Sequence, residues 1–235
     1  MYLLSFDVGI KNLAYCLIEL NHQKKRQICQ WDIIDLSFED NSDKDLNYLI
    51  QNYKKMKIND LKSYMTKFEL NTNAKKSELV KSVEHYLQQQ KIIKKNPTIL
   101  DTSQILVQKL DKLSFLNQVD TILIENQPSL KNPIMKSIQM ILYTYFVIRG
   151  FIDSQYLKQL KFISARNKLK KCETIDQFKG KNKNYKDRKK LAVEYCSYLI
   201  NDDFGNLKLF NQSPKKDDLA DCYLQGIYYF DYCHK

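Results

Sequence analysis

The chain has 235 residues, 43% of them hydrophobic and 12% aromatic, with only 5 Gly and 4 Pro. That is enough for one sizeable core plus a small accessory module, and too apolar for a disordered chain. Lys and Arg number 38 against 27 Asp and Glu, a formal charge of +11 that favours a polyanionic partner, whereas the scattered Cys and His, without a Cys-x-x-Cys pair, argue against zinc.

Residues 2–7 are a short apolar run ending in an acid, and 13–20 and 28–36 have similar strand-like content, so three consecutive strands in a meander are expected. From 37 to 96 the chain turns polar and Lys/Asn-rich, with helical spacing at Leu61, Met65 and Phe68 and again at Leu79, Val83 and Leu87. This reads as a helical module inserted into a domain made of 1–36 and 97–235. Leu106, Leu110 and Leu113 mark a helix after Pro97, and Asp120-Thr-Ile-Leu-Ile-Glu125 is a buried strand closing on an acid. Asn132-Pro133 starts a helix with Ile134, Ile138, Ile141, Leu142 and Tyr145 on one face. A fifth strand is expected within 156–164, a helix over 187–200, and a last helix from Pro214 to Tyr229. Strands first, then alternating helices and strands, give a mixed α/β sheet.

Five carboxylates stand out. Asp7 ends the first strand at a tight turn carrying Gly9; taken alone it is as compatible with an ordinary turn acid as with chemistry. Glu125 closes a run of Ile and Leu, where a carboxylate is costly unless paired or metal-bound. Asp217, Asp218 and Asp221 crowd the start of the last helix, which the helix dipole favours in any case. Asp218 and Asp221, three apart, share one face, and two like charges held together want a cation. Hard oxygen ligands without Cys or His select Mg²⁺ or Mn²⁺. Carboxylates from separate segments suit two ions and phosphodiester hydrolysis without a protein nucleophile.

Between 158 and 190 there are 13 Lys and Arg against 3 Asp and Glu, a net +10. The positive charge is therefore concentrated beside the acids. Arg166, Lys168, Lys170, Lys171, Lys179, Lys181 and Lys183 are the candidate contacts to a DNA backbone.

The motifs Asp7-Val-Gly-Ile-Lys-Asn12, Ile-Leu-Ile-Glu125-Asn-Gln-Pro128 and Lys215-Lys-Asp-Asp-Leu-Ala-Asp221 resemble the acidic motifs of RuvC-type Holliday junction resolvases, in particular their poxvirus-like and fungal mitochondrial branch. The stretches around 131–137 and 163–169 are similar to that branch too, so the resemblance covers most of the chain outside 37–96. It implies an RNase H-like five-stranded α/β fold and a homodimer. It further implies two divalent ions per subunit and paired symmetric nicks across a four-way DNA junction that leave 5′-phosphates. The metal-holding catalytic acids carried over are Asp7, Glu125, Asp218 and Asp221, with Asp218 preferred to Asp217 for the Asp-Leu-Ala-Asp spacing; Asp217, Lys11 and Gln127 form a second tier. No nucleotide cofactor is implied.

Residues 56–90 resemble a SAP-type DNA-binding module, with Glu69 and Asn73 where that pattern usually has glycines. Three other readings stand beside this one: an RNase H-like nuclease acting on RNA or an RNA/DNA hybrid, an actin-like ATPase, and a non-catalytic DNA-binding protein. The ATPase lacks its second Asp-x-Gly loop and its Gly-rich adenosine motif in this sequence. The composition points to a soluble, reduced, intracellular protein, and the Asn, Lys, Ile and Tyr bias is what an AT-rich genome such as that of a large DNA virus would leave.

Overall fold

The computed structural model describes all residues except 38–43, 90–97, 131, 181–183 and 235. It comprises two compact units, Met1–Ser37 with Ile99–Lys235, and Phe38–Thr98.

The larger unit is built on a five-stranded sheet: β1 (Tyr2–Val8), β2 (Asn12–Leu20), β3 (Arg26–Asp35), β4 (Thr121–Glu125) and β5 (Gln159–Ile163), in the order β3-β2-β1-β4-β5. The first three strands are an antiparallel meander, whereas β4 runs parallel to β1 and β5 parallel to β4. Both faces are covered. One carries α4 (Ile99–Leu110) and α5 (Pro133–Phe146), which bury Leu4, Phe6, Ile122 and Ile124; the other carries α6 (Tyr185–Leu199), α7 (Phe204–Gln212) and α8 (Lys216–Tyr232), over Leu3, Cys16 and Leu123. None of the helices among the described residues is long and apolar enough to cross a membrane.

The local reasons are visible in the sequence. In β1 and β4 consecutive side chains leave opposite faces, so Leu3, Ser5 and Asp7 share the α8 side, as do Leu123 and Glu125. α5 starts where Asn132 accepts the Met135 N–H in front of Pro133 at N1. α8 lies close to the sheet because Gly226 faces Ile18 and Leu3; a Cβ there would come within 2.6 Å of Ile18 Cδ1. Three buried hydrogen bonds fix its position: Gln225 Nε2 donates to Ser5 Oγ (3.0 Å) and to the Phe6 carbonyl (3.3 Å), and Trp31 Nε1 donates to the Leu219 carbonyl (3.1 Å).

α7 falls where the periodicity of the sequence is silent. Gly205 and two Asn make it a poor intrinsic helix, and tertiary contact supplies the rest. Asp203 caps it by accepting the Asn206 N–H, and Phe210 is stacked on Trp31 with ring centroids 5.3 Å apart.

The smaller unit is three helices, α1 (Lys44–Asn52), α2 (Ile58–Lys67) and α3 (Lys76–Gln89), around Leu49, Met56, Leu61, Met65, Leu79, Val83 and Leu87. α2 ends with Glu69 at φ +56, the left-handed region that glycine enters most easily. The Leu70 N–H donates to Met65 O and the Glu69 N–H to Thr66 O, which satisfies the last carbonyls of α2.

Gly9 makes the turn from β1 to β2 possible. A Cβ at this position would lie 2.5 Å from the Asn12 carbonyl oxygen, a backbone atom that cannot swing aside. Gly9→Ala is therefore expected to destabilise the protein by about 1–3 kcal/mol, as overpacked sites do. The measurement is chemical denaturation, and an unchanged midpoint would show that the turn relaxes freely.

Candidate active site

The turn that Gly9 permits and the end of β4 lie side by side. The last paired residues of the β1–β4 ladder are Phe6 and Ile124, so Asp7 and Glu125 come one residue later on adjacent strands and on the face that α8 covers. α8 runs across them with a matching stripe. Gln225 meets Ser5, Asp221 meets Asp7 and Glu125, and Asp218, a turn earlier, lies near the Asn12 side chain. Asp7, Glu125 and Asp221 each offer an oxygen atom within 4.8 Å of the other two, and they are the set among the described residues that could hold a metal ion.

A cation already faces this cluster. β5 is followed by a short 3-10 turn, Ala165–Leu169, whose start is capped by Ser164 and whose Leu169 is buried in the core. The turn aims Lys168 inward, with Nζ 2.5 Å from Asp221 Oδ2 and 3.8 Å from Glu125 Oε2. Burial alone would lower the Lys168 pKa, but the charges of Asp221, Glu125 and Asp7 outweigh it and raise the pKa above the ordinary lysine value. One ammonium cannot neutralise three carboxylates. Asp7 is pushed well above the usual carboxylate range, first by burial, then by its hydrogen bond with Glu125 and by the charges of Glu125 and Asp221. Asp221 is raised by burial, against the pull of Lys168.

The site is thus an all-oxygen pocket with excess negative charge. Its donor set fits a hard divalent cation such as Mg²⁺ or Mn²⁺, which would offset the negative charge that Lys168 leaves unbalanced.

The remaining candidates lie around this centre. Asp218 is half-buried, and its pKa is raised by burial and by the neighbouring Asp217 charge. Asp217 turns away to Lys189 on α6, 2.7 Å from its Nζ, and its carboxyl lies below the usual range because that ion pair outweighs burial. Lys11 is exposed. Gln127 is only 8% exposed and donates from Nε2 to the Val8 carbonyl, so it braces the site from within.

The basic stretch divides in two. Lys168 belongs to the acids, whereas Arg166, Lys170, Lys171 and Lys179 lie on the surface, held there by Leu169, Cys172 and Phe178 beneath them. Lys171 pairs with Asp231 at 3.0 Å, and Lys170 lies over the Tyr232 ring at 4.7 Å. Lys181 and Lys183 are outside the described residues. Two contributors escaped sequence reasoning, Asn12 and Lys189. Asn12 closes the first motif and opens β2.

The fold is RNase H-like, that of two solved Holliday junction resolvases. A fowlpox virus resolvase, solved with its substrate Holliday junction DNA, matches with a TM-score of 0.51 over 100% of both chains at 17% identity. The yeast mitochondrial Holliday junction resolvase matches with a TM-score of 0.53 over 97% of this chain and 78% of its own at 18% identity. An uncharacterized protein of Acanthamoeba polyphaga mimivirus is 29% identical over 99% of this chain and 75% of its own length. No protein-family model matches.

The raised pKa values of Asp7 and Asp221 have a definite sign. The folded, metal-free protein holds more protons than the unfolded chain between the unfolded and the folded pKa values, so stability falls as pH rises through that window. A divalent ion that keeps the carboxylates ionised relieves this cost. Mn²⁺ is expected to raise the melting temperature more at neutral than at mildly acidic pH in a thermal-shift titration. Equal shifts at both would mean that the ion binds elsewhere.

Proposed function

We propose that this protein, with its resolvase fold, is a divalent-metal-dependent endonuclease that resolves four-way DNA junctions by paired, symmetric nicks. The observation that carries the reading is the convergence of Asp7, Glu125 and Asp221 with Lys168 at the mouth of the central strands of that fold. Bound divalent ions, two in this scheme, supply a water of lowered pKa and a Lewis-acid partner for the leaving 3′ oxygen.

The protein's own residues do the rest. Asp7 and Glu125, fixed on adjacent strands, hold the site open at one spacing, and Asp221 closes it from α8. Asp218 extends the acidic face by one turn, beside Asn12. Lys168 offers its ammonium to a non-bridging oxygen of the scissile phosphate, where charge builds up as the bond breaks. The outward Arg166, Lys170, Lys171 and Lys179 contact backbone phosphates on either side of the cut, together with Lys181 and Lys183. The helical unit adds DNA contacts through exposed Lys55, Lys57, Lys75, Lys76 and Lys81.

Paired nicks need two active sites, hence a homodimer. α5 and the π-helical turn after it, Val147–Asp153, leave Ile134, Met140, Ile148, Phe151 and Ile152 exposed, an apolar stripe suited to a second copy.

The purified protein with Mg²⁺ or Mn²⁺ is expected to nick a synthetic four-way junction on two opposed strands and to leave linear duplex largely whole; equal cutting of both would reject the junction. Asp7→Asn is expected to abolish cleavage with junction binding retained in a gel-shift assay, since this acid holds metal and not DNA. Ile148→Glu is expected to give a monomer by sedimentation equilibrium whose nicks fall on single strands. A dimer with paired nicks would remove α5 from the interface.

A further inference from the structure

The backbone ladder between β1 and β4 ends at Phe6 and Ile124, one residue short of Asp7 and Glu125. Asp7 stays paired with β2 and Glu125 with β5, but nothing in the β1–β4 ladder itself holds the two acid-bearing ends at a fixed distance from each other. Gln127 supplies a tie between them. Its Nε2 donates to the Val8 carbonyl at 3.3 Å, one residue past Asp7, and the side chain is almost fully buried.

Gln127 is itself held from behind. Its N–H donates to Gln139 Oε1 at 2.8 Å, and Gln139, on α5, is fully buried. Lys136, one turn earlier on α5, donates to the same Oε1 and to Asn126 Oδ1, both at 3.2 Å. The Asn126 N–H donates to the Ile163 carbonyl at 2.8 Å, which ties the same turn to β5. Three consecutive residues, Glu125, Asn126 and Gln127, are thus fixed to β5, α5 and β1.

A buried amide in an apolar helix face is costly, and Gln139 leaves its own Nε2 without a hydrogen-bond partner. Leu or Met would pack there at less cost. What Gln139 supplies in return is an acceptor for the Gln127 N–H, at the one place where the acid-bearing strands have lost their ladder.

We infer that Gln127 and Gln139 form a latch that sets the spacing of Asp7 and Glu125 for metal binding. They are positioning residues, touching neither metal nor DNA. The inference rests on the metal-site reading above and extends it from the ligands to the groups that place them. Groups that orient metal ligands typically alter metal affinity or activity by roughly 10- to 100-fold when removed.

The test uses the whole chain and two readouts, Mn²⁺ binding by calorimetry and the Mn²⁺ dependence of junction nicking. Gln127→Met and Gln139→Met keep the bulk and remove the latch. Each is expected to raise the Mn²⁺ midpoint by roughly tenfold or more in both readouts, with junction affinity unchanged. Leu110→Ala, a cavity in the same core, serves as the control for lost stability, since Leu110 is fully buried and far from the latch in sequence. It is expected to lower the melting temperature without moving the Mn²⁺ midpoint.

A wild-type midpoint in Gln127→Met, or an equal shift in Leu110→Ala, overturns the latch. Wild-type protein that binds Mn²⁺ yet leaves the junction whole sinks the resolvase reading alone, and the calorimetric comparison still decides the latch. Wild-type protein that binds no Mn²⁺ overturns both.

Discussion

Three carboxylates, from two strand ends and one helix, meet within 4.8 Å in a partly buried site, and most of the surrounding structure answers to their repulsion. Two like charges about 4 Å apart, at an effective dielectric of about 20, repel by about 4 kcal/mol. That is comparable with the whole stability of a domain, roughly 5–15 kcal/mol. The cluster persists because Lys168 is turned into it, because Asp7 keeps its proton more readily than an ordinary carboxyl, and because each element that carries an acid is fastened separately. Gln225 and Trp31 fasten α8; Gln127 fastens the ends of β1 and β4.

The same constraint divides the basic residues. A stretch of net +10 reads as one surface for a polyanion, yet its members do different things. Lys168 is carried inward by the 3-10 turn that buries Leu169, and its neighbours Lys170 and Lys171 are carried outward by the same turn. The division follows from burial: the ammonium carried inward meets carboxylates, and those carried outward stay at the surface.

Much of this was legible beforehand. The three-strand meander, the buried strand ending at Glu125, the helix opened by Asn132-Pro133 and the mixed sheet all follow from alternation and helical spacing, which are local properties. β5 is shorter than the apolar content of 156–164 implies, and α1 and α7 gave no usable pattern. Their helicity comes from Leu49 and Phe210 docking into cores, a contribution that local propensity does not contain.

The sequence by itself determined which residue types can do the chemistry: acids closing β1 and β4, an acidic first turn on the last helix, no Cys or His cluster, and a basic stretch between them. Strand parity alone places Asp7 on the side of Leu3, and Glu125 on the side of Leu123. Only the tertiary structure decided which members meet. It turned Asp217 to Lys189, set Asp218 near Asn12, drew Asp221 and Lys168 to Asp7 and Glu125, and tied Gln127 to β1 and α5. The physical reason is that spacing along the chain sets the face from which a side chain leaves its own element, whereas its partner depends on how that element packs against others far away in sequence.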